Sequence, residues 1–196
     1  MKRNIVCISS CQYKIPTTHD PTASRKTKFE YLNEILLSRH IVSPHQVIMQ
    51  PEMVSVDDLK RVHDPEYVDS FIHNTMSRQM LKKIGVGLTS STGTIDRQVY
   101  ERVMYVVGAT VQASHLAMEH GRAANLAGGA HHAYYDSGGG YCVFNDIVVA
   151  GESLVANGHI ERYLVIDLDV HQGDGTASML QGAAAAGGKY DHTFTF

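Results

Sequence analysis

Apolar residues recur at two spacings along the chain, and these spacings predict strands that alternate with helices. Short apolar runs bounded by turn residues are typical of strands, whereas a spacing of three to four residues is typical of helices. Strands are predicted at 5–8, 46–49, 123–126 and from 192 onward, and helices at 28–39, 55–61, 64–75, 94–120 and 145–156. This alternation indicates an α/β domain with a mostly parallel sheet flanked by helices.

The rest of the chain is organised around the apolar run from Leu164 to Val170. Its length predicts a strand buried on both faces, interrupted by Asp167 and Asp169 and followed by His171. Side chains alternate along a strand, so these three polar residues are expected to point the same way. Buried acids need a partner, and a divalent metal such as zinc accepts carboxylate oxygen and imidazole nitrogen. A strand end whose acids accept hydrogen bonds from loop amides stays open as an alternative.

Glycine-rich segments follow two of the predicted strands. One of them, at 128–140, carries the adjacent pair His131 and His132, and the other turns the chain after 170, where Thr176 is expected to cap a helix. Functional sites of parallel sheets gather at the carboxyl ends of strands, where both segments lie. An imidazole near a metal-bound water can serve as a general base, and a surface histidine pair without a function is the alternative.

Composition limits the classes of protein to consider. The 196 residues, 43% of them hydrophobic, suffice for a single domain over 1–196 with a sizeable core. A formal net charge of −3 argues against a direct nucleic-acid binder. Three cysteines form no framework of disulfides, and the apolar run near the start is too short for a signal peptide or a membrane span. A soluble intracellular protein is expected, with no preference between nucleus and cytoplasm.

Two separated motifs, GGAHHAYYDSGGGYCVFND and VIDLDVHQGDG, together resemble the zinc-dependent histone deacetylase family. The resemblance extends upstream to the segments at 57–68, 92–95 and 125–129, with similarity to the class IV and bacterial branches, and the best match covers 54–174. It implies the three-layer arginase/deacetylase-like fold. Members of this family are longer, so the chain is expected to be an incomplete deacetylase domain that lacks the C-terminal part.

The resemblance implies a role for each polar residue of the two motifs. Asp169 and His171 resemble two of three zinc ligands. His132 resembles the general base, oriented by Asp174. The third ligand and a tyrosine that stabilises the oxyanion belong to later parts of family members.

The remaining implied roles concern a second histidine, a cation and the substrate. His131 resembles the second active-site histidine, paired with Asp167. Asp167 also resembles part of a monovalent-cation (K⁺) site, together with backbone carbonyls. Gly140 and Tyr141 resemble the wall of the acyl-lysine tunnel, where phenylalanine is commoner than tyrosine.

The implied function is zinc-dependent hydrolysis of acetyl-lysine amides in histones or other proteins, with an acetylated protein or peptide as the partner. Two alternatives stay open. One is a non-catalytic fragment of the same fold that binds acyl-lysine or joins a partner complex. The other is an amidohydrolase that acts on acetylpolyamines.

Overall fold

The computed structural model describes residues 5–9, 27–48, 50–86 and 94–185, and the strand predicted from 192 lies outside them. Strands and helices alternate along the described chain as predicted. In chain order, the elements are β1 (Val6–Ile8), α1 (Lys28–Ser38), β2 (Val47–Ile48), α2 (Val56–Val62), α3 (Pro65–Ile72), α4 (Arg78–Ile84), α5 (Arg97–His120), β3 (Ala123–Asn125), α6 (Asp146–Ala156) and α7 (Asp174–Ala185). Of these helices, α4 was not predicted, because its seven residues are too short for a clear helical spacing.

The described residues belong to two compact units. The first, Met1–Val54 with Asp96–Gly128, contains a parallel sheet in the order β2-β1-β3. Cys7 of the central strand pairs with Val47 on one side and Ala124 on the other. The predicted parallel pairing is therefore confirmed, and the prediction of a single domain over the whole chain stays a prediction.

Helix α5 supplies the core of this first unit. Ile8 of β1 is fully buried against Ala109 and Ala113 of α5. Asn125 at the end of β3 donates from Nδ2 to the hydroxyl of Thr110 at 2.8 Å. Small residues on α5 let the helix lie close to the sheet, which is the packing expected of an α/β layer.

The second unit, Ser55–Ile95 with Gly129–Phe196, holds every residue that the sequence singled out for chemistry. Its core is built where α2 packs on α6. Phe71 and Phe144 are almost fully buried and meet edge to face, with ring centroids 5.1 Å apart. Such aromatic pairs contribute more than their buried area alone and fix the relative position of the segments that carry them.

The predicted buried strand from Leu164 to Val170 is wrong for the described chain. Alternate side chains are exposed, with Leu164 at 70%, Ile166 at 73%, Leu168 at 91% and Val170 at 93%. A strand needs a hydrogen-bonded neighbour, and no backbone hydrogen bond from the described residues reaches this segment. The segment has the apolar residues of a buried strand, but the described chain covers only one of its two faces.

Carboxylates bend the backbone at the end of this segment. The backbone N–H of Asp169 donates to Asp167 Oδ1 at 3.0 Å, and that of His171 donates to Asp169 Oδ1 at 2.8 Å. These contacts between a side chain and the backbone two residues on are typical of Asx turns. The expected cap at Thr176 is also wrong, because α7 already begins at Asp174.

Replacing Leu168 by lysine is expected to reduce self-association and to leave the free energy of unfolding within about 0.5 kcal/mol of its original value. The reason is that the Leu168 side chain is exposed and belongs to an uncovered apolar face. Leu59→Lys is the matched control, since Leu59 is fully buried and its replacement should be strongly destabilising. Size-exclusion chromatography and urea unfolding test both variants. Equal destabilisation by the two changes would contradict the prediction.

None of the helices in the described ranges combines the length and the apolarity that crossing a bilayer requires.

Candidate active site

The segment that carries the two histidines is anchored by a buried carboxylate at the start of α6. Asp146 Oδ2 accepts a hydrogen bond from the backbone N–H of Gly129 at 3.0 Å, and Oδ1 accepts one from Ala130 at 2.6 Å. Asp146 is fully buried, so these amides supply hydrogen bonds that water cannot. The backbone just before His131 is therefore held against the N-terminus of α6.

Asn145, the residue that caps α6, joins the same segment to α7. Its side-chain amide donates to the carbonyl of Ala133 at 3.1 Å and to the hydroxyl of Thr176 at 2.9 Å. Its Oδ1 accepts the backbone N–H of Val148 at 3.2 Å, as an N-cap does. One buried side chain thus connects three parts of the site, and Thr176 acts as an acceptor inside α7 rather than as a cap.

His63, at the end of α2, supports this junction from the other side. Its Nδ1 lies 2.9 Å from the carbonyl oxygen of Tyr134, and its Nε2 lies 3.0 Å from the backbone N–H of Asn145. Burial lowers the pKa of His63 to about 4, although hydrogen bonds with the carbonyls of Tyr135 and Tyr134 oppose the shift. His63 is therefore neutral at pH 7, with its proton on Nδ1 and a lone pair on Nε2.

The two adjacent histidines each contact a different carboxylate. His131 Nδ1 lies 2.7 Å from Asp167 Oδ2, and His132 Nδ1 lies 2.7 Å from Asp174 Oδ1. The two rings are neighbours, with centroids 4.2 Å apart. The structure therefore contains both of the pairings that the family resemblance implied, and their catalytic roles stay predictions.

Both partner carboxylates are held in the ionised form. For Asp174, desolvation opposes ionisation, but hydrogen bonds from His132 and Tyr134 outweigh it and keep the pKa below its usual range. For Asp167, desolvation is again outweighed, by hydrogen bonds from His131 and from the backbone of Asp169, so its pKa is also lowered. A carboxylate beside Nδ1 fixes the ring with its proton there and leaves Nε2 as the basic nitrogen.

The two expected metal ligands lie next to each other on the solvent side of the histidine pairs. Asp169 Oδ1 is 3.0 Å from His171 Nδ1, and the His171 ring lies 6.1 Å from the His132 ring, centroid to centroid. Hydrogen bonds from the backbone and ring of His171 lower the pKa of Asp169. Within the described ranges, no three His, Cys, Asp or Glu side chains form a group that could hold a metal ion. Two donors of the type that zinc accepts are thus present, one fewer than a catalytic site usually has.

A cavity of about 450 Å³ opens beside His132. Its lining residues are Lys83, His132, Tyr134, Ser137, Gly139, Gly140 and Asp174. A side chain at Gly140 would come within 2.6 Å of the His132 ring, so glycine is what allows this close approach. Tyr141, expected beside Gly140 as tunnel wall, is 79% exposed and does not line this cavity.

Comparison with known proteins decides the family. A model of the histone deacetylase domain matches residues 22–186. The chain belongs to the histone deacetylase family. Its relatives include an uncharacterised protein of the cyanobacterium Picosynechococcus, which is 39% identical over 154 residues, covering 79% of this chain and 49% of that protein. The acetoin utilization protein AcuC of Staphylococcus aureus is 30% identical over 164 residues, covering 81% of this chain and 41% of AcuC.

Solved structures of the histone deacetylase family confirm the fold expected from the resemblance. A histone deacetylase homologue from Aquifex aeolicus superimposes with a TM-score of 0.66 at 21% identity, covering 90% of this chain and 47% of the homologue. The HD domain of HDA15 gives a TM-score of 0.68 at 18% identity, with 91% and 50% of the two chains covered. The chain therefore has the arginase/deacetylase fold and spans about half the length of the relatives it matches.

Asp146 and Tyr134 are among the residues of this deacetylase-family site that were not singled out from the sequence. Asp146 could have been recognised, because a carboxylate inside the apolar run VFNDIVV must find a partner when it is buried. Tyr134 could not, because its partner Asp174 is 40 residues away along the chain. The sequence feature that points to Tyr134 is its position two residues after His132.

Proposed function

We propose that this chain carries part of the catalytic site of a zinc-dependent hydrolase that removes acetyl groups from lysine side chains of proteins or peptides. Membership of the histone deacetylase family supports hydrolysis in general. The observation that carries the proposal is the pair of His–Asp contacts near Asp169 and His171. One of these pairs, His132 with Asp174, lines the cavity. Because the chain spans about half of its relatives, the activity of the whole protein is part of the proposal.

Asp169 and His171 are the residues that would hold zinc. Their carboxylate oxygen and ring nitrogen are both accessible to solvent and are donors that zinc prefers. Bound zinc supplies a Lewis acid that polarises the acetyl carbonyl and lowers the pKa of a coordinated water. Catalytic zinc sites usually take three protein ligands, and we propose that a residue beyond those described completes the set.

The chain's own residues would move the protons. Asp174 holds the proton of His132 on Nδ1, which leaves Nε2 free to accept a proton from the attacking water. Asp167 holds His131 in the same way. Release of the lysine amine requires a proton, and a histidine that has become protonated beside an ionised carboxylate is a suitable donor.

We also propose a monovalent cation such as K⁺ near Asp167. Asp167 Oδ2 already contacts His131, and Oδ1 accepts the backbone N–H of Asp169. A cation there would depend mainly on backbone carbonyl oxygens, which suit hard cations.

The experiment compares hydrolysis of an acetyl-lysine peptide by the longest protein that the gene encodes, loaded with zinc, before and after His132→Ala. Loss of a general base is expected to reduce kcat by about 10²–10⁴-fold. His73→Ala is the matched control, because His73 is exposed at the end of α3 and touches none of the site residues named above.

Three outcomes would contradict the proposal. Binding of the peptide without hydrolysis would favour a non-catalytic module. Faster hydrolysis of an acetylpolyamine than of the peptide would favour the small-amide class. Equal rates for His132→Ala and His73→Ala would remove His132 from the mechanism.

A further inference from the structure

The carboxylate of Asp174 accepts hydrogen bonds through both of its oxygens. Asp174 Oδ1 accepts hydrogen bonds from His132 Nδ1 at 2.7 Å and from the backbone N–H of Gly175 at 2.9 Å. Asp174 Oδ2 accepts a hydrogen bond from the hydroxyl of Tyr134 at 2.9 Å. The terminal torsion of an aspartate side chain (χ2) has broad, nearly two-fold preferences. A carboxylate bound through one oxygen could therefore rotate. The Tyr134 hydroxyl removes that freedom.

Tyr134 is itself fixed by three contacts. Its backbone N–H donates to the carbonyl of Ser137 at 2.8 Å, and its carbonyl accepts from His63 Nδ1 at 2.9 Å. The ammonium of Lys83 lies 5.9 Å from the centre of the Tyr134 ring and donates to the Ser137 hydroxyl at 3.2 Å. The hydroxyl therefore approaches Asp174 from a position that the surrounding chain determines.

The placement of Tyr134 differs from what a purely structural tyrosine would show. Tyr134 lines the cavity that also contains His132 and Gly140. Its hydroxyl donates to the carboxylate that contacts the proposed base. Hydrogen bonds to the far oxygen of a carboxylate hold the near oxygen in line with the imidazole, as the outer partners of catalytic histidines do.

We propose that Tyr134 is a positioning residue, whose hydroxyl locks the Asp174 carboxylate so that Oδ1 stays on His132 Nδ1. The lock keeps the Nδ1 proton of His132 shielded and Nε2 available. The link to catalysis rests on the proposed deacetylase function, whereas the shielded Nδ1 proton requires neither metal nor substrate.

The test is Tyr134→Phe, which deletes one hydroxyl and keeps the ring. The readout is the solvent-exchange rate of the His132 Nδ1 proton, observed by nuclear magnetic resonance of the metal-free protein at one fixed pH and assigned by its disappearance in His132→Asn. We expect exchange to become at least tenfold faster in Tyr134→Phe. Tyr135→Phe is the matched control and should leave the rate unchanged, because Tyr135 is a neighbouring tyrosine with an exposed side chain.

The Nδ1 proton of His131 serves as an internal reference, since it contacts Asp167 and not Asp174. An unchanged His132 rate in Tyr134→Phe would overturn the proposal. Equal acceleration at both histidines would also overturn it, because it would show general loosening of the fold. If the proposed function holds, kcat for an acetyl-lysine peptide should fall several-fold in Tyr134→Phe with KM unchanged. Absence of any hydrolysis by the unmodified protein would refute that function and leave the exchange result intact.

Discussion

Lowering the pH from 7 to 4 is expected to remove about 3 kcal/mol from the free energy of unfolding through His63 alone. The pKa of His63 is about 4 in the folded protein, against an ordinary value of 6.5. Because the folded pKa is the lower one, the unfolded chain binds the proton more readily. The contribution of His63 to the free energy of unfolding is therefore fully present above pH 6.5 and is lost progressively as the pH falls toward 4.

The surroundings of His63 explain why its charged form is excluded. Its Nε2 accepts the backbone N–H of Asn145, so a proton on Nε2 would place two donors against each other. The ring is fully buried and packs on Phe144, with centroids 5.2 Å apart. Burial therefore removes the solvation that a charge at this position would need.

Urea unfolding at several pH values between 4 and 7 measures this effect. His63→Gln is expected to be less stable at pH 7 and to show a much weaker dependence on pH. His73→Gln, at an exposed position, should keep the dependence of the unmodified protein. The carboxyl groups of Asp167 and Asp174, with lowered pKa values, lose their contribution below about pH 4, outside this window. Equal slopes for His63→Gln and the unmodified protein would contradict the assignment.

Replacing Asn145 by alanine is expected to lower the free energy of unfolding by about 3 kcal/mol. The change removes the N-cap of α6, and it leaves the carbonyl of Ala133 and the hydroxyl of Thr176 without the donor they share. All three contacts are buried, so water cannot replace them without reorganisation. Chemical denaturation at pH 7 measures the loss.

The opposite end of the same helix supplies the control. Asn157 follows α6, is exposed, and donates from its side chain to the carbonyl of Ser153 at 2.7 Å. Asn157→Ala should therefore cost less than about 1 kcal/mol. Similar losses for the two variants would mean that the buried junction at Asn145 contributes little beyond helix capping.

The sequence predicted the alternation of elements because each element depends on local patterns. The helix ending before Gly121 and the strand at β3 need only spacing and a terminating residue. The prediction of a buried strand from Leu164 to Val170 was wrong because it depends on more than local sequence. The apolar residues of this segment indicate that both faces can be buried, but local sequence cannot show whether neighbouring chain is present to cover them.

Local sequence patterns predicted less of the candidate site than of the fold. The alternation of Asp167, Asp169 and His171 suggested a metal, but it did not predict the turns that the two carboxylates form with the backbone. The pairing of each histidine with its own carboxylate came from the family resemblance and not from spacing. Tyr134 was missed because its contact with Asp174 joins residues that are distant along the chain, whereas Asp146 carried a local signal that was not used.

The distance in sequence between each histidine and its carboxylate has a consequence during protein synthesis. His131 and Asp167 are 36 residues apart, and His132 and Asp174 are 42 apart. At about 5–20 residues per second, both imidazoles leave the ribosome roughly 2–8 s before the acids that orient them. During that interval the nascent chain presents two histidines without their acids, so any chemistry that depends on both pairs begins only after Asp174 has been translated.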